Sequence, residues 1–152
     1  MKYIQPELEI ITTHLKKVKS TDKPIWGEMS AQRMVEHLSD AVTLSRGNHN
    51  LPLEIKEEHT PKAQAFLISE HPLPKLFKAS FATPDIPERN SSMDEAILEF
   101  EKAWKLFIAD FTSSPTKCSL HPNFGTLDFD LWKRMHSKHI THHLEQFGVI
   151  CQ

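Results

Sequence analysis

Four histidines fall within positions 136–143 of the segment HSKHITHHLEQFG, 136–148, in a chain that holds ten histidines among 152 residues. Neutral imidazole is a metal ligand. Two imidazoles at i and i+4 of a helix stack one turn apart, about 6 Å between Cβ atoms, where they can grip one ion. At about 100° per residue, Trp132, Met135, His143 and Gln146 lie within about 40° of His139. Arg134, Ser137, Thr141 and Glu145 cluster on the opposite side with Lys138 at its edge, and that side is expected to face water. His136 and His142 flank the apolar stripe by about 60° and are poorer candidates for the interior. The pair expected to face the core is His139 and His143.

A third imidazole joins them from elsewhere in the chain. His37, in MVEHLSD, is surrounded on a helical wheel by Met34, Leu38, Ala41 and Leu44. For any one of these histidines alone, a hydrogen-bonded core residue is the plainer explanation. Three in one apolar interior must each find partners for two ring nitrogens, or lose roughly a few kcal/mol to desolvation. One divalent ion satisfies three nitrogens at once and leaves coordination positions open for water or substrate. HExxH is absent, since Ile140 follows His139 and Leu144 follows His143, and no GxSxG occurs. Glu36 stands about 100° around its helix from His37. It is expected on the solvent side, with a contact to the ligands as the alternative.

Four amphipathic helices must position these residues. The first spans roughly 6–18, with Leu8, Ile11, Leu15 and Val18 on one side, and ends in the polar break Lys19, Ser20, Asp22, Lys23 and Pro24. The second runs from Ser30, an N-cap, to about Arg46, with Gly47 as its stop. The third opens on a capping box, Ser92 to Glu95, and repeats Ile97, Phe100, Trp104, Phe107 and Phe111 at intervals of three and four. The fourth covers about 128–147, with Gly148 beyond its end. Between the second and third, Pro52, Pro61, Pro72, Pro74, Pro84 and Pro87 leave room for only short helices, at 62–70 and 73–80. That stretch is too long for a hairpin between neighbouring helices and reads as a crossover from one end of a bundle to the other.

Composition narrows the partners. A net charge of −2, with 39% apolar and 25% charged residues, is that of an ordinary globular domain and offers no surface for nucleic acid or an anionic membrane. One domain, 1–152, is expected. Four glycines disfavour a turn-rich β fold or a phosphate loop, and two cysteines, Cys118 and Cys151, form no metal or disulfide pattern. No signal peptide or membrane span is read, so the expected location is cytoplasmic.

With these residues in place, WGEMSAQRMVEHL at 26–38 and the H-x3-H of the last helix resemble the DinB/YfiT-like superfamily of metalloenzymes. HPNFGTLDFDLWKRMHSKHITHHLEQFG, at 121–148, resembles one branch of it, in which an HPxFG loop precedes a tryptophan and an HxxHHLxQFG ending. The resemblance implies an all-α, up-down-down-up four-helix bundle with a long crossover between helices two and three. It implies a metal site of His37, His139 and His143, and a reaction of thiol S-transfer with a low-molecular-weight thiol such as bacillithiol or mycothiol, or hydrolysis. Zinc is favoured, with nickel, iron and manganese also compatible with imidazole. His121, His136, His142 and Gln146 are candidates to support the ligands or contact a small-molecule substrate, and each is equally readable as a structural or surface residue. His121 or Phe124 of the HPNFG turn is expected near the mouth of the pocket, with a loop that merely caps the bundle as the alternative. A homodimer is compatible with all of this. Two further function classes stay open beside the enzyme: a bundle protein whose metal is structural or whose site is vestigial, and a metal-free helical module that binds a partner.

Overall fold

Three serine and aspartate caps set where the long helices begin. Ser30 accepts the Arg33 N–H at 3.1 Å, Ser92 accepts that of Glu95 at 3.1 Å, and Asp128 accepts that of Leu131 at 2.9 Å. The computed structural model describes residues 3–75, 77, 79–83 and 85–151. Its helices are α1 (Leu8–Leu15), α2 (Ala31–Leu44), α3 (Thr60–Ile68), α4 (Met93–Ser113) and α5 (Phe129–Gln146). The fold is mostly helical. No helix among the described residues is long and apolar enough to cross a membrane.

One apolar cluster gathers Ile11 and Leu15 of α1, Met34, Leu38 and Val42 of α2, Phe100, Trp104, Phe107 and Phe111 of α4, and Trp132, Ile140 and Leu144 of α5. The α2–α4 contact is the most extensive between helices, and α5 touches α1, α2 and α3. Phe100, Trp104 and Phe107 are buried, as their spacing requires. Ser92 caps α4 as expected, but the Glu95 carboxylate reaches back to the N–H and hydroxyl of Ser91 rather than to Ser92.

The structure departs from an all-α expectation in one place. β1 (Ser119–His121) and β2 (Gly125–Leu127) pair antiparallel, Leu120 opposite Thr126, around the HPNFG turn. Strands three residues long carry no alternation to read. What holds them is tertiary: Ser119 Oγ donates to the Ser45 carbonyl, His49 Nε2 to that of Leu120, and Gln64 Nε2 to those of Phe124 and Thr126. Gly125, at φ +80°, brings its backbone so close to Thr60 that a Cβ there would lie 2.5 Å from Thr60 Cγ2. Of the two short crossover helices, 62–70 appears as α3. The one expected at 73–80 includes residues 76 and 78, outside the described residues, and the described residues of that stretch carry no helix.

Two expectations about exposure fail, for one physical reason. The polar side of α5 is buried: Ser137 is 5% exposed, Lys138 1% and Thr141 1%. These side chains meet backbone groups left open in the chain before α1, in the last turn of α3 and just beyond it. Thr141 Oγ1 accepts the Ile4 N–H at 3.0 Å, and Ser137 Oγ donates to the Ile4 carbonyl. Lys138 Nζ donates to the carbonyls of Phe66 and His71, each at 2.7 Å, and Arg134 reaches those of Leu67, Ile68 and Ser69. Burial pulls the Lys138 amine down to about 8, with Arg134 adding to the shift and Glu70 opposing it.

Glu36 is likewise buried, 0% exposed, rather than solvent-facing. Its carboxylate receives the backbone N–H groups of Arg89 and Asn90 at 2.9 Å each, the Asn90 side chain at 2.9 Å, and Gln32 at 3.3 Å. It thereby pins the end of the crossover to α2. Burial by itself would raise its pKa, but the hydrogen bonds from Asn90, Arg89 and Gln32 outweigh it and hold the group at about 2. Its contribution is therefore present above about pH 4.5 and lost as pH falls toward 2. Replacing Glu36 with alanine leaves those buried donors without an acceptor and leaves the buried Arg33 with Asp40 as its remaining ion-pair partner. Urea denaturation at pH 7 is expected to show a loss of about 3–5 kcal/mol. Glu57→Ala, on the exposed turn before α3, should change stability by less than about 0.5 kcal/mol. Equal effects would contradict this role for Glu36.

Candidate metal centre

His37 projects from the second turn of α2, and His139 and His143 from successive turns of α5. Across that helix pair the three rings meet edge to face, with centroids 4.7–4.8 Å apart. His139 Nε2 lies 2.9 Å from His37 Nε2 and 3.1 Å from His143 Nε2. One ligand nitrogen from each of the three falls within 4.8 Å of the others, and no further His, Cys, Asp or Glu among the described residues joins them. His143 is buried; His37 and His139 keep partial access to solvent.

The bonding of these nitrogens is unusual for a metal-free cluster. A ring nitrogen carries either a proton or a lone pair. His139 Nε2 therefore cannot donate to one neighbour and accept from the other; it could serve both only by sharing one proton between two acceptors or one lone pair between two donors. A cation between three lone pairs removes the conflict. Two ligands bound at about 2.0–2.1 Å with tetrahedral angles lie about 3.3 Å apart, close to the spacing seen here. Burial lowers all three pKa values. His37 falls to about 4, with Arg33 and His142 adding to the effect of burial and Asp40 opposing it. His139 and His143 fall well below the ordinary histidine value, pushed by burial first and then by neighbouring imidazoles. All three are neutral at pH 7, the state that coordinates a metal.

Of the other residues singled out in the sequence, Gln146 stands nearest the cluster. Its Oε1 accepts from His143 Nδ1 at 2.7 Å. His142 packs its ring 4.9 Å from that of His143 and 5.6 Å from that of Trp26. It also forms part of the wall of a cavity of about 400 Å³ that Trp26, Leu73, Lys75, Lys138 and Glu145 help to line. His136 does not flank the interior; it is buried in it, 1% exposed, because α5 is covered on every side. Its ring stacks on Trp132 at 5.5 Å and meets Phe107 at 5.0 Å and Trp104 at 5.8 Å edge-on, away from the cluster. His121 packs on Trp132, Phe124 and Phe81, and its Nδ1 accepts the Asn123 N–H at 3.0 Å. Neither His121 nor Phe124 makes a ring contact with the three histidines among the described residues.

The periodicity of α2 and α5 gave no sign of the loop 25–27, which lies outside both helices. The Trp26 carbonyl accepts the Gln146 side-chain N–H at 2.9 Å, and the Ile25 N–H donates to the Gln146 carbonyl at 2.7 Å. The only sequence signal for that contact is the pairing of WG, just before the Ser30 cap, with the QFG that ends α5.

A family model described as "Protein of unknown function (DUF1569)" matches residues 8–149. The chain belongs to the DUF1569 family. The match begins with α1 and ends just past α5, so the DUF1569 domain contains all three histidines, Gln146 and the loop at 25–27. No curated protein and no solved structure matches the chain significantly.

The aromatic-walled histidines make acid stability a test of this DUF1569 core. Burial holds His136 at about 3 and His121 at about 4, each helped by a neighbouring histidine. Both pKa values are depressed, so their contribution is complete above about pH 6.5 and lost as pH falls toward the folded values. The melting temperature should drop steadily between pH 6.5 and 4, and less steeply in His136→Phe. Identical slopes in the two proteins would contradict the burial of a neutral His136.

Proposed function

We propose that this chain is a metal-dependent enzyme in which His37, His139 and His143 hold one divalent ion with an open coordination side. The observation that carries the reading is the position of His139 Nε2, 2.9 and 3.1 Å from the other two imidazole nitrogens. Among the described residues only three ligand side chains converge, and two of them stay partly accessible, as in sites that keep a position for substrate rather than closing it. The order of helices α1, α2, α4 and α5, with the crossover and its short α3 between α2 and α4, supports an up-down-down-up bundle of the DinB/YfiT-like kind. So does the division of ligands, one on the second long helix and two, four residues apart, on the last.

A bound divalent ion, zinc favoured over nickel, iron or manganese, would supply a Lewis acid that lowers the pKa of a water or thiol in its open position. The chain's own residues do the rest. The buried helix pair keeps the imidazoles neutral and fixes their separation. The cavity walled by His142, whose ring packs 4.9 Å from that of His143, offers a small molecule a place one side chain removed from the cluster. The reading therefore favours transfer of a low-molecular-weight thiol to an electrophile, or hydrolysis of a small ester or amide.

The test uses protein purified without a histidine tag and loaded separately with zinc, nickel, iron(II) and manganese. Each form is offered a thiol with an electrophilic arene, and a panel of esters and amides. At least one metal form should turn over one of these pairs. His37→Ala, still helical by circular dichroism, should lose at least about 100-fold of that activity, as expected when an essential positioning group is removed. A metal that raises the melting temperature while no substrate turns over would favour a structural metal instead.

A further inference from the structure

Two parts of the chain remote in sequence meet at one buried amide. The side chain of Gln146 donates from Nε2 to the Trp26 carbonyl at 2.9 Å and accepts at Oε1 from His143 Nδ1 at 2.7 Å. The order of these bonds is forced. A carbonyl oxygen only accepts, so the amide nitrogen must face Trp26 and the amide oxygen must face the imidazole. An amide oxygen also only accepts, so His143 must carry its proton on Nδ1. A neutral ring has one N–H, and its Nε2 is left with the lone pair, 3.1 Å from His139 Nε2.

The amide has little freedom to do otherwise. Gln146 is 5% exposed, and its backbone carbonyl is held by the Ile25 N–H at 2.7 Å. Gly27 turns the loop at φ +77°, and a Cβ there would stand 2.9 Å from Gln146 Nε2. The bare glycine leaves the space in which the amide lies. His139 contrasts with this: its Nδ1 is buried without a hydrogen-bond partner, so nothing outside the cluster presets that ring.

We infer that Gln146 is a positioning residue: clamped by the Trp26 carbonyl and given its space by Gly27, it sets the tautomer and ring plane of His143 and so the affinity of the three-histidine cluster for a divalent ion. The inference rests on the metal-site reading above. It gives a role to the pairing of WG at 26–27 with QFG at 146–148. The link runs through a partner that orients a ligand from behind, the arrangement by which metal-bound histidines are commonly held.

The experiment combines a tautomer measurement on metal-free protein with a zinc competition titration. Nitrogen-15 spectra of the imidazoles, with His143 assigned by its absence in His143→Asn, should report the Nδ1–H form in the wild type. In Gln146→Leu that preference should be lost, and zinc affinity measured against a chromophoric chelator should fall about 10–100-fold. Gly27→Ala, which pushes on the same amide from the other side, should weaken zinc binding in the same direction. The double variant should be no weaker than Gln146→Leu alone, because both changes break one link. Circular dichroism and melting of each variant show that the fold persists. An Nε2–H tautomer for His143 in the wild type overturns the inference, as does zinc bound equally well by wild type and Gln146→Leu. Failure of the wild type to bind zinc, with the Nδ1–H tautomer intact, would instead overturn the metal-site reading and, with it, the effect on affinity inferred for Gln146.

Discussion

A helix covered on every side must find partners for its polar side chains inside the protein, and α5 is such a helix. Its apolar and imidazole side faces α2 and the aromatic row of α4, while its serine, threonine, lysine and arginine side would leave uncompensated polar groups in the core if nothing met it. Backbone groups left over from a loop and a helix end meet it. The chain around Ile4, the last turn of α3 from Phe66 and the residues after it to His71 offer N–H and carbonyl groups that no helix or strand satisfies. Each side solves the other's problem. The polar face of α5 pairs with backbone that would otherwise be unpaired, and in doing so fixes the rotation of the helix about its axis. That rotation decides where His139 and His143 point.

The same enclosure divides the histidines of α5 into two kinds. His136 sits among Trp104, Phe107 and Trp132, where a neutral ring is simply a large packing group. His139 and His143, one and two turns further on, lose aromatic neighbours from α4 and meet His37 instead. Burial keeps both kinds uncharged, so charge does not separate them. What separates them is the nature of the facing atoms: carbon for His136, nitrogen for the other two. Glu36 contributes at one remove. By binding the backbone of Arg89 and Asn90 it ties the end of the crossover to α2, one residue from His37.

Much of this was legible in the sequence, and the failures share a cause. Helical periodicity locates α2, α4 and α5 and a first helix that proves shorter, Leu8–Leu15 rather than 6–18, and it selects His37, His139 and His143, because a helix turns by a fixed angle and apolar residues mark the inside. It misplaces Glu36, His136, Ser137, Lys138 and Thr141, because periodicity assumes that polar means wet. A polar side chain can equally be buried against backbone left over from loops, and nothing local in the sequence announces that. The two short strands were invisible for a related reason: Ser119, His49 and Gln64 hold them through contacts remote along the chain. The role of Gln146 falls between these cases. Its direction on the helix could be read, but its partner, the Trp26 carbonyl, is a backbone atom with no signature of its own.

The ion proposed here would bridge α2 and α5 through three Nε2 atoms. X-ray absorption on zinc-loaded protein at a one-to-one ratio tests that most directly. The prediction is three imidazole nitrogens at about 2.0–2.1 Å with one or more additional oxygen or sulfur neighbours, and loss of one imidazole contribution in each of His37→Ala, His139→Ala and His143→Ala. An imidazole count that is unchanged in His37→Ala, or zinc held instead by Cys118 or by exposed histidines, would contradict it.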